Sequence, residues 1–282
     1  MAPEVAGSIP VSHPLETGDH PIIRVQHLVR TFGSLTAVND VTFEVRKGET
    51  FAFLGPNGAG KTTTIKMLTT VLRPTSGSLE LDGLNPVTDS TEVRKRIGVV
   101  FQDPSLDSEL TAWENVDIHG VLYHVPRQVR QERGEVLLKL FELWDRRDDL
   151  VKTFSGGMRR RLEIARGLLH TPKVLFLDEP TLGLDPQSRN QMWSIVKNLN
   201  ASEGVTVFLT THYMDEADRV ADRIAVIDHG KIVATGSAAE LKQQTGTESL
   251  EAAFLKLTGT TIRDEAFSAQ DQIRQVSRVW RK

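Results

Sequence analysis

The alternation of apolar and polar positions along the chain predicts strands separated by helices. Apolar runs with strand character begin near Pro21, as "PIIRVQHLV" and "AVNDVTFEV", and return late in the chain as "KVLFLDEP", "GVTVFLTTH" and "RIAVIDHGKIVATG". Helical spacing, such as that of "TTTIKMLTTVL", lies between these runs. This order is typical of an α/β core built on a mainly parallel sheet.

The region 103–153 departs from this alternation because it contains helical spacing alone. Pro126 is expected to open a helix, and the apolar face of that helix is predicted to hold Val129, Val136, Leu140 and Trp144. The sequence therefore predicts an inserted helical subdomain over about 103–153.

The two ends of the chain differ from this pattern. Residues 1–20 lack the basic and apolar regions of a secretory signal and predict a flexible tail. Residues 237–282 predict a C-terminal helical extension, and its last helix would carry one apolar face, formed by Ala269, Ile273, Val276 and Trp280. That face is expected to pack on protein, either its own domain or a second copy, and contact with the membrane is the alternative. No apolar run approaches the roughly 18–20 residues that span a bilayer, so any membrane contact is expected through a partner.

Composition narrows the classes of function. The 282 residues carry a net charge of -3 and include 25% charged side chains, which gives no electrostatic reason to expect a nucleic-acid partner. Cysteine is absent, which excludes disulfides, cysteine-ligated zinc and thiol catalysis.

A glycine-rich loop, "GPNGAGKT", follows one predicted strand and opens a predicted helix. In such a loop the backbone N–H groups surround phosphate oxygens, the lysine contacts the β- and γ-phosphates, and the following hydroxyl contacts Mg²⁺. A glycine turn with an accidental lysine is the alternative. The predicted nucleotide-binding residues are Gly55, Pro56, Asn57, Gly58, Ala59, Gly60, Lys61, Thr62 and Thr63.

Two adjacent carboxylates follow the apolar strand of "VLFLDEP". Beside a phosphate-binding loop they can divide the work of phosphoryl transfer: Asp178 holds Mg²⁺ and Glu179 polarises the attacking water. Taken without the loop, such a pair is more often a helix cap or a solvated turn.

A second anion-binding candidate lies in "FSGGMRRRLEIARG", where Ser155, Gly156 and Gly157 open an amphipathic helix. The N–H groups at a helix start and the aligned peptide dipoles favour an anion, although an ordinary N-cap serine is the alternative. The arginines of 159–161 predict a solvated helix face rather than a nucleic-acid patch.

The ordered motifs "GPNGAGKTT", "VVFQD", "FSGGM", "VLFLDEP", "TLGLD" and "TTHYMDEAD" resemble those of the nucleotide-binding subunit of ATP-binding cassette (ABC) transporters. The resemblance covers about 21–236. It implies a P-loop NTPase core with a mainly parallel sheet, an antiparallel β subdomain and an inserted helical subdomain, using ATP and Mg²⁺.

The resemblance also implies roles for single residues. Gln102 would contact Mg²⁺ and the attacking water, and would lie where the helical region hinges toward a membrane partner. His212 would contact the γ-phosphate, and Phe32 would stack on adenine, although an isolated histidine or phenylalanine is more often structural.

One nucleotide needs one glycine loop, so the second candidate is expected to act on a nucleotide bound to another subunit. The resemblance implies that Ser155, Gly156 and Gly157 close over the γ-phosphate of a second copy and that Asp185 reaches across the same interface. Phe154 and Met158 stand where Leu and Gln are usual, so the side-chain amide that glutamine would offer to the ribose is absent at residue 158.

Within the family, "RRRLEIARGLLH" and "SLEAAFLKLTG" resemble ATPases of daunorubicin-resistance-type exporters of the ABC-2 type. This implies two copies of the chain on the cytoplasmic face of the membrane with a separate permease, exporting a drug-like or lipid-like hydrophobic compound. An importer ATPase and a soluble cassette enzyme are the alternatives. Glu179 and His212 argue against a module that does not hydrolyse ATP.

Overall fold

A computed structural model describes residues 20–259 of the chain. The strands in that range alternate with helices, as the apolar pattern predicts. In chain order they are β1 (Ile23–Phe32), β2 (Leu35–Val45), β3 (Thr50–Leu54), β4 (Ser76–Leu81), β5 (Ile97–Val100), β6 (Val174–Asp178), β7 (Thr206–Thr211), β8 (Arg223–Asp228) and β9 (Lys231–Gly236).

The described strands form two sheets. An antiparallel sheet has the order β2-β1-β4, and a larger sheet has the order β5-β6-β7-β3-β8-β9. In the larger sheet only β9 runs antiparallel to its neighbour within the described range. This mixed sheet and the separate antiparallel sheet confirm the predicted P-loop α/β fold.

The helices within residues 20–259 lie between or beyond these strands. They are α1 (Lys61–Leu68), α2 (Ser90–Arg96), α3 (Ala112–Leu122), α4 (Arg127–Leu140), α5 (Gly156–Leu168), α6 (Pro186–Glu203), α7 (Met214–Val220), α8 (Ala238–Thr245) and α9 (Leu250–Thr258). Two 3₁₀ turns cover Trp144–Arg146 and Val151–Thr153.

The two sheets share an aromatic core. Phe43 of β2 lies 5.0 Å between ring centroids from Phe53 of β3, which in turn lies 5.3 Å from Phe208 of β7. All three side chains are buried. Because β6, β7 and β3 are adjacent and parallel, their carboxyl ends meet at one edge, and the functional residues follow those ends.

The apolar face predicted for α4 is wrong in phase at Val136 and Leu140, whereas Val129 is half-buried and Trp144, in the 3₁₀ turn after the helix, packs against the core. Val136 is 64% exposed and Leu140 is 37% exposed, whereas the buried positions are Gly134, Leu137, Leu138 and Phe141. At Gly134, α4 passes so close to α3 that a Cβ would lie 3.0 Å from the ring of Trp113. The buried stripe keeps helical spacing, but it begins at a glycine that apolar counting ignores.

Strand β4 was not predicted because only two of its six residues are apolar. It pairs with β1 through Leu79 opposite Val25 and Leu81 opposite Ile23, and Ser76 to Ser78 are exposed. An edge strand with one short apolar half gives a weak alternation signal.

At the C-terminal end of the described range, α8 and α9 contact each other, and α9 contacts α7. Ser237 and Glu240 form a capping box at the start of α8. The predicted tail up to residue 19 and the predicted apolar face of Ala269 to Trp280 lie outside the described residues. Within residues 20–259, no helix combines the length and apolar character needed to cross a bilayer.

Candidate nucleotide-binding and hydrolysis site

The loop between β3 and α1 is fitted closely against its neighbours. A Cβ at Gly55 would lie 2.3 Å from the carbonyl oxygen of Ile227, and a Cβ at Gly60 would lie 2.5 Å from that of Ala37. Gly60 also has a φ of 104°, a conformation that favours glycine. Asn57 and Gly58, at the tip of the loop, are exposed.

Lys61 is the first residue of α1 and is 5% exposed. Its Nζ donates hydrogen bonds to the carbonyls of Gly55, at 2.7 Å, and Pro56, at 3.1 Å, so the lysine closes the loop on itself. Among residues 20–259 no side chain caps α1, and the first turn of this helix holds no acidic residue. The positive end of the helix dipole is therefore left for an anion.

Asp178, at the end of β6, has one satisfied and one unsatisfied carboxylate oxygen. Its Oδ1 accepts hydrogen bonds from the hydroxyls of Thr210, at 2.6 Å, and Thr62, at 3.1 Å, whereas its buried Oδ2 has no partner among the described residues. Burial raises the pKa of Asp178, and the two hydroxyls offset this only in part. An unpaired buried carboxylate oxygen beside a hydroxyl is a donor set that fits Mg²⁺.

Glu179 is held by two basic side chains. Its Oε1 lies 3.2 Å from Nζ of Lys61, and its Oε2 lies 3.2 Å from Nδ1 of His212, which follows β7. Burial opposes ionisation of Glu179, but the hydrogen bond from His212 and the charge of Lys61 outweigh it and lower the pKa of this carboxyl. The group is therefore a carboxylate near neutral pH.

The backbone of Glu179 is unusual, because its φ of 45° is in the left-handed region. Its N–H donates to the carbonyl and the hydroxyl of Thr210. Residues other than glycine keep such a φ only where their surroundings hold it, and such residues cluster at functional sites.

Two predicted site residues lie apart from these carboxylates. Gln102 is exposed in the loop after β5 and makes no hydrogen bond to Thr62, Asp178 or Glu179 in the described part of the chain. Phe32 ends β1 and is 44% exposed, with the guanidinium of Arg30 4.5 Å from its ring centroid. The alternative of a core phenylalanine is therefore wrong.

The second anion-binding candidate lies where two helices begin. Ser155 caps α5 by accepting a hydrogen bond from the N–H of Met158, at 3.2 Å, and Asp185 caps α6 through Ser188. A Cβ at Gly157 would lie 2.8 Å from the hydroxyl oxygen of Ser188. The two helix starts therefore touch, and glycine permits that contact.

The second anion-binding candidate is open to solvent at the start of α5. Ser155 and Gly156 are exposed, and a Cβ at Gly156 would meet no atom of the described residues within 4 Å. Within residues 20–259, Ser155 and Asp185 make no hydrogen bond to the loop of Gly55 to Thr63. Ser155 thus serves as a cap in its own chain, as its alternative interpretation states, and leaves Gly156 open.

The interpretation of the three arginines as a solvated face is wrong for Arg160, which is 7% exposed. Its guanidinium donates to backbone carbonyls beside the catalytic candidates and pairs with Glu163. Periodicity contained a signal for this, because Gly157, Arg160, Ile164 and Gly167 share the buried spacing of α5.

Sequence reasoning also missed Glu216, which is fully buried on α7. Its Oε2 accepts a hydrogen bond from the hydroxyl of Thr181, at 2.8 Å, and its Oε1 lies 3.2 Å from Nε of Arg189 on α6. The carboxylate therefore joins the residues that follow Glu179 to the helix that follows Asp185. A charged residue in a short helix gives no sequence signal of this burial.

Comparison with known sequences identifies the family. The family model for ABC transporters matches residues 38–182. The chain is 47% identical to the daunorubicin/doxorubicin resistance ATP-binding protein DrrA of Streptomyces peucetius, over 86% of this chain and 73% of that protein. It is 37% identical to the linearmycin resistance ATP-binding protein LnrL of Bacillus subtilis, over 87% of this chain and 77% of that protein.

Solved structures give the same result. The ATP-binding subunit of an ABC transporter superposes with a TM-score of 0.77 at 28% identity, covering 84% of this chain and 99% of that one. A dimeric ATP-binding cassette in a post-hydrolysis state, bound to ADP and Pi, superposes with a TM-score of 0.68 at 28% identity, covering 76% and 98%. The chain therefore belongs to the ABC transporter family, as an ATP-hydrolysing subunit similar to the drug-resistance ATP-binding proteins.

Proposed function

We propose that this chain hydrolyses ATP with the groups at the carboxyl ends of β3, β6 and β7. The observation that supports this most strongly is the position of Glu179, a carboxylate held between Lys61 and His212. The glycine loop binds the phosphates, with Lys61 at the β- and γ-phosphates. Phe32 is proposed to stack on adenine because its ring is exposed at the end of β1.

In the proposed reaction, water attacks the γ-phosphorus and the bond to the β–γ bridging oxygen breaks, which gives ADP and phosphate. Glu179 orients the water and accepts its proton, while His212 contacts the γ-phosphate and stabilises Glu179 through Nδ1. Thr62 and Asp178 are proposed to hold Mg²⁺, with Gln102 reaching it from the loop after β5. When bound, the cation supplies positive charge beside the phosphate oxygens.

We further propose that two copies of the chain close around ATP. Ser155, Gly156 and Gly157 would meet the γ-phosphate bound to the other copy, and Asp185 would contact the same interface. The exposure of Ser155 and Gly156 and the open space beside Gly156 support this arrangement. The negative charge of the γ-phosphate favours closure, and its release favours opening.

The subunit is proposed to drive a separate ABC-2-type permease from the cytoplasmic face of the membrane, and to export a drug-like or lipid-like hydrophobic compound. The names of the drug-resistance relatives support this assignment. The exposed apolar side chains of the region 103–153 support a protein partner there; they are Ile118, Val121, Leu122, Val136 and Leu140.

To test this function, the cells that produce the protein are made to express the Glu179→Gln variant in its place. Accumulation of daunorubicin and of a panel of other hydrophobic antibiotics is then measured. Higher accumulation of one compound supports export, and lower accumulation indicates import. Unchanged accumulation across the panel, together with normal ATP hydrolysis by the purified variant, would contradict the proposed function.

A further inference from the structure

The guanidinium of Arg160 lies directly behind the hydrolysis site. Its Nε donates to the carbonyl of Pro180 at 2.8 Å, and its NH2 group donates to the carbonyls of Asp178, at 2.9 Å, and Glu179, at 3.3 Å. Its NH1 group donates to the carbonyl of Phe101 at 2.6 Å. Four backbone carbonyls, three at the end of β6 and one directly after β5, therefore converge on one buried side chain.

Three of these carbonyls are consecutive and include Glu179 itself. The left-handed φ of Glu179 turns the chain sharply between Asp178 and Pro180, and Arg160 binds the carbonyl on each side of that turn as well as the one within it. A planar guanidinium with five N–H donors in fixed directions can bind this set of carbonyls, whereas an ammonium group cannot match its geometry.

Glu163, one turn later on α5, extends the same arrangement to the loop that contains Gln102. Its Oε2 pairs with NH1 of Arg160 at 3.0 Å, and its Oε1 accepts a hydrogen bond from the N–H of Ser105 at 2.7 Å. Both charged side chains are less than a tenth exposed. Phe101 and Ser105 lie on either side of Gln102, so the pair holds both ends of that loop segment.

We propose that Arg160 is a positioning residue for ATP hydrolysis, which sets the backbone at Glu179 and at the Gln102 loop from α5. The inference rests on the proposed role of Glu179. Because Ser155 caps the start of α5, a displacement of that helix start moves Arg160 and the carbonyls bound to it. The group that meets the partner's nucleotide is thus joined to the carboxylate that acts on this chain's own nucleotide.

Matched variants separate positioning from stability. Arg160→Gln leaves the buried carboxylate of Glu163 without its charge partner, so it lowers the melting temperature. The double variant Arg160→Gln with Glu163→Gln removes both charges and is expected to recover most of that loss. The control is Arg161→Gln. Arg161 lies on the same helix, but its guanidinium donates to the carbonyl of Phe141 and not to the backbone at Glu179.

The measurements are kcat and KM for ATP, the Kd of ATP and the melting temperature, taken on the full chain. A misplaced catalytic group costs about 100-fold, so kcat should fall by that factor in the single and the double variant while KM and Kd stay within about threefold. Arg161→Gln should keep kcat within about threefold. Arg160→Lys should behave like Arg160→Gln in kcat.

Recovery of kcat together with the melting temperature in the double variant would overturn the proposal, because Arg160 would then act through stability alone. Loss of ATP affinity in proportion to kcat would also overturn it. Glu179→Gln, assayed in parallel, distinguishes the two proposals. If that variant is inactive while the Arg160 variants are normal, only the positioning role fails, whereas a fully active Glu179→Gln overturns the role of Glu179 and the inference that rests on it.

Discussion

Nζ of Lys61 lies 3.2 Å from Oε1 of Glu179, and both side chains are more than nine-tenths buried. This ion pair joins the phosphate-binding loop to the end of β6. Burial lowers the pKa of Lys61, and the nearby carboxylates offset this in part. Removing either partner of a buried pair leaves the other charge uncompensated. The two residues are proposed to act on different steps, so their substitutions are expected to differ in their effects on ATP binding and on hydrolysis.

We predict that Lys61→Ala and Glu179→Gln affect different steps. Lys61→Ala removes a cation from the phosphates and should weaken ATP binding by at least about tenfold. Glu179→Gln keeps the shape but loses the proton acceptor, so kcat should fall by about 10²–10⁴-fold while the Kd of ATP changes little. Calorimetric titration of ATP with steady-state kinetics checks both, and a Glu179→Gln variant that hydrolyses ATP at the normal rate would contradict the assignment.

Ser155→Arg tests the composite site. The new side chain should block approach of the other copy, so hydrolysis should fall by at least about 100-fold, while ATP affinity of the monomer stays within about threefold. Nucleotide titration at low protein concentration and an ATPase assay provide the two readings. Gln131→Arg, on the exposed face of α4, adds the same charge as a control. Loss of ATP binding as complete as in Lys61→Ala would place Ser155 in its own chain's site.

Glu216 is expected to matter for stability. Burial raises the pKa of this carboxyl, and the hydroxyl of Thr181 and the charge of Arg189 oppose that shift. Glu216→Ala removes the acceptor of the Thr181 and Thr211 hydroxyls and the charge beside Arg189, and should cost about 3 kcal/mol of unfolding free energy. Asp218→Ala removes an exposed ion pair with Lys242 and should cost less than about 1 kcal/mol. Urea unfolding of both variants gives the comparison, and equal losses would be inconsistent with this account.

The half-buried His119 predicts a dependence of stability on pH. Burial, then the charges of Arg166 and His170, lower the pKa of His119 to about 3 from 6.5. Between these values the unfolded chain binds a proton that the folded chain does not, so stability is present above pH 6.5 and is lost as the pH falls. The loss from this one group is about 1 kcal/mol per pH unit just below its unfolded pKa.

His119→Leu should reduce that slope, because leucine does not titrate. The Nε2 of His119 has no hydrogen-bond partner within residues 20–259, so the substitution removes no hydrogen bond of that nitrogen. His170 also has a lowered pKa, caused by burial, and retains its part of the slope. Unfolding free energies at pH 7.0, 6.0 and 5.0 check the prediction, and identical slopes in the two proteins would refute it.

Most of the fold and most of the chemical groups of the candidate site could be predicted from the sequence. The P-loop spacing and the end of one apolar strand predicted Lys61, Asp178 and Glu179 as site residues, and the family resemblance implied His212. The structure brings them together because the parallel strands β3, β6 and β7 end at one edge of the sheet. For Lys61, Asp178 and Glu179 the local sequence is sufficient, because the residue type and its position at the start of a helix or the end of a strand predict the role.

The partners of the buried charged groups could not be predicted in the same way, although the helical spacing of α5 places Arg160 on its buried side. The backbone carbonyls that bind Arg160 lie 18 to 59 residues away along the chain, and Arg189 and Thr181, which bind Glu216, lie 27 and 35 residues away. The phase of α4 failed for a related reason, because its close contact at Gly134 depends on the position of α3. The partners of both charged groups and the buried face of α4 follow from tertiary packing.

The most direct test of the central claim is the rate of ATP hydrolysis per chain, measured against protein concentration with Glu179→Gln as the control. The account predicts a rate per chain that rises with concentration toward a plateau and is abolished in the control, because two copies complete each site. A rate that stays constant while sizing shows only monomers in the presence of ATP would contradict it.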